Sequence, residues 1–538
     1  MKLVTVDEMR YIERAADRSG LRYAEMMQNA GRGVAEVVRD YFQDDGLRAL
    51  ALVGSGNNGG DALVALTVLM EHGWRAAAYL MLPRQENDTL IKTYVHAGGE
   101  LLHLSDDESY KNLDKALEDA EVIIDGVLGT GATLPLKPSI ADVFDHIKII
   151  RGGIPIIAVD CPSGVDCDSG KADPSVLPAD VTVCMAAVKA GLVAMPAFRY
   201  VGTLHVVPIG LSDDLLEWRA VNAAVVDSDL ASANLPKRDI DSHKGTFGTA
   251  MIVAGSVNYT GAAYLAASAA YRIGAGLVQV GLPACLHPVL AGQIPEATWL
   301  LLPHEMGVLS HPGAEILLSN LDRATSLLLG PGWGMESTTT LFLKYLLEGS
   351  GAHRGRSNIG FVTGSQATEK DQPRVLPPCV IDADGLKHLS KIENWWTYLP
   401  EETILTPHPG EMSVLTGVPL AEIQQNRIVI ARDYAARWRK VVVLKGALTV
   451  IAEPNGAHCI IPVASAALAR AGTGDVLAGI IVGLRAQGLP AYEAAYTGAW
   501  IHAQCGLLAE DLLGTSASVL AGDLLDHIPD VLHDLESW

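Results

Sequence analysis

The sequence predicts two α/β domains in tandem, each built on a mostly parallel sheet. Three observations carry this. At 538 residues the chain exceeds what one hydrophobic core serves. Apolar runs of strand length alternate with helical stretches, and glycines crowd the ends of those runs, where open α/β sheets place their ligands. In the first half the runs fall at 49–53, 76–81, 122–125, 156–160, 181–185 and 204–208. After a polar stretch at 236–244 a second series follows at 249–254, 277–281, 326–329, 380–382, 404–406, 441–444 and 448–452. The expected domains are therefore 1–225 and 236–538. Residues 349–374, rich in Gly, Ser, Gln and charge, read as a long surface insertion.

Composition narrows the function classes. Apolar residues make up 49% and charged ones 19%, so a disordered chain is excluded. A formal charge of −22 repels phosphate backbones, so no nucleic acid and no anionic membrane surface is expected as partner. The seven cysteines form no C-x-x-C pair, which argues against a disulfide framework or a zinc site and fits a reducing cytoplasm. No signal-peptide pattern and no apolar run of membrane-spanning length is expected either.

In the first half, Gly54-Ser55-Gly56-Asn57-Asn58-Gly59-Gly60-Asp61 joins a strand to a helix. Glycines there let amides approach a phosphate, and the helix N-terminus favours an anion. Two amides and a carboxylate exceed what a turn needs. Two further strand ends carry Asp125-Gly126-Val127-Leu128-Gly129-Thr130-Gly131 and Asp160-Cys161-Pro162-Ser163-Gly164. Adjacent strands would bring Asn58, Asp125 and Ser163 to one sheet edge, as hard oxygen ligands suited to an alkali or alkaline-earth cation. Taken singly, Asp and Ser here would only cap helices. Lys189, after another strand end, reads equally as a site residue or a paired lysine.

These blocks, with Met27-Gln28-Asn29-Ala30-Gly31 before them, resemble the NAD(P)H-hydrate epimerase family over about residues 1–215. The resemblance implies a Rossmann-like three-layer domain. It implies that Asn57, Asn58, Gly59, Gly60, Asp61, Gly129, Thr130, Gly131, Ala132, Thr133, Leu134, Pro135 and Asp160 line the substrate. Asn58, Asp125 and Ser163 would hold potassium. The family inverts the hydroxyl-bearing C6 of hydrated NADH or NADPH (NADHX, NADPHX), a carbon from which the ring nitrogen can expel hydroxide. Asp160 and Lys189 are the acid–base candidates. Ser55 and Ala62 stand where the family favours Pro and Gly.

The sharpest motif of the second half is Ala471-Gly472-Thr473-Gly474-Asp475, opening a long apolar helix. Its amides can form an anion hole, and Asp475 can take a proton from an attacking hydroxyl. Other blocks sit just past predicted strands: Tyr259-Thr260-Gly261-Ala262, Gly330-Pro331-Gly332, Asp382-Ala383-Asp384, His408-Pro409-Gly410-Glu411 and Lys445-Gly446-Ala447-Leu448-Thr449. Flanking prolines favour a defined pose for His408.

This half is similar to the ADP-dependent NAD(P)H-hydrate dehydratase family, which implies a ribokinase-like fold over about residues 240–535. By that resemblance Ala262, Gly332, His408 and Asp475 meet the hydrated cofactor. Lys445, Gly446, Ala447, Leu448, Thr449 and Gly474 would meet ADP, with Gly472 and Thr473 in the anion hole and magnesium assisting. Asp475 would be the catalytic base. Ala464-Ser465-Ala466-Ala467 stands where the family has an Asn-containing turn, so one nucleotide or metal contact is altered. The expected activity is epimerisation of NADHX and NADPHX followed by ADP-driven dehydration, in a cytoplasmic homo-oligomer. The alternatives are a ribokinase-like vitamin or sugar kinase, which would accumulate a phosphorylated alcohol, and a non-catalytic nucleotide-binding scaffold.

Overall fold

A computed structural model describes residues 1–536 apart from 45, 86 and 350–374. Beyond Gly349, the insertion expected over 349–374 lies outside the described residues. The chain divides into two compact units, Met1–Val225 and Val226–Trp538.

The first unit holds a seven-stranded sheet. Its strands are β1 (Arg48–Val53), β2 (Arg75–Leu80), β3 (Glu100–His103), β4 (Val122–Gly126), β5 (Ile156–Val159), β6 (Val181–Met185) and β7 (Thr203–Val207). All neighbours are parallel, in the order β3-β2-β1-β4-β5-β6-β7. Alternation along β1 is what makes three layers: Ala49, Ala51 and Val53 face one core, while Leu50 and Leu52 face another. Helices α1 (Val6–Ser19), α2 (Tyr23–Phe42), α3 (Asn57–Glu71) and α4 (Thr89–His96) cover the first face. Helices α5 (Lys111–Glu118) and α6 (Pro138–Ile150) cover the second.

Helix α1 shows how locally this is written. Thr5 and Glu8 form a reciprocal capping box at its start, Gly20 ends it at φ 116°, and Val6, Met9, Ile12 and Ala16 at helical spacing are buried. Burial of a side chain such as Ile12 contributes about 1.5–3 kcal/mol.

The chain runs outward from β1 to β3 and then returns to β4 on the other side of β1. The loops after β1 and β4 therefore open around a topological switch point.

In the second unit the strands are β8 (Thr249–Val253), β9 (Leu277–Pro283), β10 (Thr298–Leu302), β11 (Ser326–Leu329), β12 (Cys379–Ile381), β13 (Ile404–Leu405), β14 (Val441–Leu444), β15 (Val450–Ala452) and β16 (His458–Ile460). They follow the order β16-β15-β14-β13-β12-β11-β8-β9-β10. Only the β14–β15 and β15–β16 pairings are antiparallel. Here too the chain reverses beside its first strand, between β8 and β11.

The helices that bear on the site are α7 (Thr260–Arg272), α8 (Ser337–Gly349), α9 (Asp384–Leu389), α10 (Pro409–Thr416), α11 (Thr473–Ala486) and α12 (Ala491–Leu513). Helix α11 runs against the alanine-rich α7 with almost nothing between the backbones. A Cβ on Gly479 would lie 2.3 Å from the Ala266 carbonyl oxygen, and one on Gly483 would lie 3.0 Å from that of Ala270. Only glycine permits that approach.

Strands β3, β10 and β16 were not among those expected. Strand β3 is an edge with one flank in water, so burial does not enforce an unbroken apolar run, and β16 is a three-residue return strand; β10 (TWLLL) is apolar from Trp299 onward and was passed over despite that pattern.

Candidate active sites

In the first unit the strand-end loops enclose a cavity of about 980 Å3. Asn57, Asn58, Asp61, Gly129, Thr130, Gly131, Ala132 and Asp160 line it. Gly59 and Gly60 sit in the buried first turn of α3, and Thr133, Leu134 and Pro135 continue the loop away from the lining. Helix α3 starts at Asn57 with no side-chain cap, so its first amides are free for an anion. Arg84 braces this turn: Nη1 donates to the Gly54 and Gly56 carbonyls at 2.7 and 3.0 Å, while Nε donates to Asp88 at 2.7 Å.

Of the three predicted cation ligands, Asp125 and Ser163 are bonded to each other, and Asn58 reaches the Leu128 and Val159 carbonyls beside them. Asp125 is fully buried and accepts from the Ser163 amide at 2.8 Å and the Ser163 hydroxyl at 2.6 Å. Asn58 Nδ2 lies 3.1 Å from the Leu128 carbonyl and 2.6 Å from that of Val159. A Cβ on Gly129 would stand 2.2 Å from Asn58 Oδ1, so that position must stay bare. Among the described residues no group of three or more His, Cys, Asp or Glu is arranged for a metal ion.

Asp160 follows β5 with φ 64°, and its Oδ1 accepts from the Met185 amide at 3.1 Å and from the Lys189 ammonium. Lys189 is 1% exposed and also donates to the Met185 carbonyl at 3.1 Å. Burial opposes its charge, but Asp160 outweighs that and holds Lys189 above the usual lysine value. The two residues read from the sequence as an acid–base couple are thus one buried ion pair. The sequence reading missed Glu13, on α1, which lines the same cavity. Burial, with the charges of Asp160 and Glu13 adding, pushes the Asp61 carboxyl well above the usual range.

The second unit has a cavity of about 430 Å3. His408, Lys445, Gly446, Ala447, Thr449, Thr473 and Gly474 line it, together with the apolar side chains of Ile461, Val463, Leu468, Ala499 and Ala503. Leu448 is buried at φ 57° and does not line it, and Gly472, at φ 90°, forms the uncapped start of α11. Ala262 and Gly332 come together at the β8–β11 switch point, where a Cβ on Gly332 would be 2.7 Å from that of Ala262.

Asp475 lies in the first turn of α11. Burial, then the negative charge of Asp382, pushes its carboxyl up to about 7, against the opposing pull of Lys445. Lys445 Nζ donates to Asp382 Oδ1 at 2.6 Å and lies 3.9 Å from Glu411 Oε2.

His408 is the N-cap of α10: Nδ1 accepts the Gly410 and Glu411 amides at 3.0 and 3.3 Å, and Nε2 lies 3.3 Å from Glu411 Oε1. With both ring nitrogens engaged it is a fixed neutral surface, not a free base. Burial lowers its proton affinity further, with Glu411 working the other way.

Ser465, where a family asparagine was expected, hydrogen-bonds the Glu510 carboxylate and accepts the Ala467 amide at 3.0 Å. Arg427, also unforeseen, donates to the Leu444 and Lys445 carbonyls at 2.9 and 3.3 Å and braces the loop after β14.

Residues 250–530 match the family described as NAD(P)H-hydrate dehydratase, and residues 23–191 match the family described as YjeF-related protein N-terminus. The bifunctional NAD(P)H-hydrate repair enzyme of Moorella thermoacetica is 35% identical over 547 residues, covering 100% of this chain and 97% of its own. That of Coxiella burnetii is 31% identical, covering 97% of each. Among solved structures, the ADP/ATP-dependent NAD(P)H-hydrate dehydratase of Bacillus subtilis, co-crystallised with ATP and Mg2+, is 30% identical over 59% of this chain and 100% of its own, with a TM-score of 0.47. On its full-length matches, the chain belongs to the family of bifunctional NAD(P)H-hydrate repair enzymes.

Proposed function

We propose that the chain repairs hydrated nicotinamide dinucleotides. The first unit interconverts the R and S forms of NADHX and NADPHX. The second dehydrates the S form with ADP, releasing AMP, phosphate and the restored dihydronicotinamide. The observation that carries this is Asp475 in the first turn of an uncapped helix whose Thr473 and Gly474, directly before it, line one cavity with Lys445.

In the second unit Asp475 removes the proton of the C6 hydroxyl, which attacks the terminal phosphoryl group of ADP. The amides of residues 471–475 and Lys445 stabilise the charge spread over the transferring oxygens. The ring nitrogen then expels phosphate, with loss of a C5 proton to form the C5–C6 double bond. Gly446, Ala447, Leu448 and Thr449 shape the nucleotide loop, while Ala262, Gly332 and His408 hold the hydrated ring. Magnesium would supply charge neutralisation at the transferring phosphoryl group when bound.

In the first unit the free amides of α3 take a phosphate of the dinucleotide, and Asp160 faces the iminium formed when hydroxide leaves C6. Asn58, Asp125 and Ser163 would hold potassium, which orders the loops after β4 and β5. Asp125→Ala is expected to slow epimerisation on the order of tenfold and to abolish its response to potassium, with dehydration of the S form unchanged. Equal losses in both activities would remove this assignment.

Among the described residues no helix is long and apolar enough to cross a membrane, and all seven cysteines are free thiols, which supports a cytoplasmic setting for the proposed homo-oligomer. Incubation with mixed NADHX epimers and ADP tests the function, read as recovery of dihydronicotinamide absorbance. A kinase would instead accumulate a phosphorylated alcohol. Fragments 1–225 and 236–538 are expected to carry epimerase and dehydratase activity separately. A first fragment that stays unfolded without the second would refute that division.

A further inference from the structure

We infer that Asp382 is a positioning residue of the dehydratase site: it holds Lys445 over the start of α11 and turns its own negative charge toward Asp475. This rests on the dehydratase reading of the second unit.

Asp382 directly follows β12, between the ends of β11 and β13, and is 1% exposed. Its Oδ1 accepts two hydrogen bonds of 2.6 Å, from the Thr406 hydroxyl and from Lys445 Nζ. Among the described residues no donor is bonded to Oδ2. That oxygen lies 4.0 Å, and Lys445 Nζ 3.5 Å, from where a Cβ on Gly474 would stand. Both members of the pair therefore look onto the turn that carries Asp475.

A buried ion pair is poor value as a stabiliser, because desolvation cancels most of the attraction. The Thr406 bond alone would tie the two strand ends together. What the charges add is electrostatic. The groups that face Asp475 are Asp382 after β12, Asp384 on α9, Glu411 on α10 and Lys445 after β14. After burial, Asp382 contributes most to raising the proton affinity of Asp475, and Lys445 opposes it. A general base works best when its proton affinity matches the working pH. Without Asp382, Asp475 becomes a weaker base, and Lys445 keeps Glu411 and Asp475 itself as anionic partners.

The test is the pH dependence of kcat/KM for dehydration of S-NADHX at saturating ADP, from about pH 5 to 9. In the wild type the acid limb is expected to fall near 7, where Asp475 loses its proton. Asp382→Asn is expected to move that acid limb down by about one pH unit and to raise KM for ADP about tenfold. Lys445→Gln is expected to move the limb up. A purely structural Asp382 would lower kcat and thermal stability in the variant yet leave the limb in place. An unmoved limb in folded Asp382→Asn, or shifts of the same sign in both variants, overturns the inference. Should Asp382→Asn fail to fold, the double variant Asp382→Asn, Lys445→Gln removes both charges together. Its limb must then lie below that of Lys445→Gln alone, and coincidence of the two overturns the inference. A wild-type chain that converts no NADHX sinks the dehydratase reading, a result distinct from either.

Discussion

Asp475→Asn is expected to lose about a hundredfold or more in the rate of ADP-driven dehydration, the usual scale for a general base. The substitution keeps the size of the side chain and its place in the first turn of α11 but cannot accept the hydroxyl proton. Nucleotide binding should survive, because Lys445 and the amides of the helix start are untouched. Epimerisation should persist in the same preparation. Calorimetric titration with ADP separates lost binding from lost chemistry. Near-normal turnover in the folded variant would end the assignment of the base. His408 would not replace it, since Nδ1 is taken by the Gly410 and Glu411 amides and Nε2 faces Glu411.

Replacing Lys189 by Met is expected to destabilise the first unit by about 3–5 kcal/mol, because Asp160 is then left buried without its cation. For a unit of this size that lowers the unfolding temperature by about 10 °C. Lys189 at 1% and Asp160 at 7% exposure are both buried, but Asp160 keeps an edge on the cavity, so the loss lies toward the lower end of that range. Scanning calorimetry reads the shift. Asp160→Asn in the same background should restore much of the stability, as one buried neutral group replaces one buried ion. A single substitution that leaves the transition within about 2 °C would show that the pair makes no net contribution.

Both sites were legible in outline because parallel sheets gather strand ends. Asn57, Asn58, Asp61, Gly129, Thr130, Gly131 and Asp160 line one cavity, and His408, Lys445, Thr473 and Gly474 line another. The pairings across each sheet edge were not legible. Asp160 meets Lys189 across 29 residues, and Asp382 meets Lys445 across 63. Each pairing follows from which strands are neighbours, which periodicity does not state. Thus a paired Lys189, one of the two readings open for it, could not be matched to Asp160 from the sequence. Glu13 went unread because it comes from a helix outside the glycine-rich blocks. His408-Pro409-Gly410-Glu411 carried its own explanation, a cap with Glu three residues on, but the usual capping box starts with Ser or Thr. The edge strand β3 escaped for lack of the two-sided burial that marks a central strand.

The seam between α7 and α11 sets a length. Ala262 stands in the first turns of α7 and Asp475 in the first turn of α11, and the helices meet main chain to main chain at Gly479 and Gly483. A gauge made of backbone has no side chains to repack, so the span between ring-holding and proton-accepting walls does not drift as the surrounding core changes. Variation in ligand preference must then come from the loops after β11, β13 and β14, which can alter what enters the site without altering its width. One methyl group at Gly479 would reset the gauge itself.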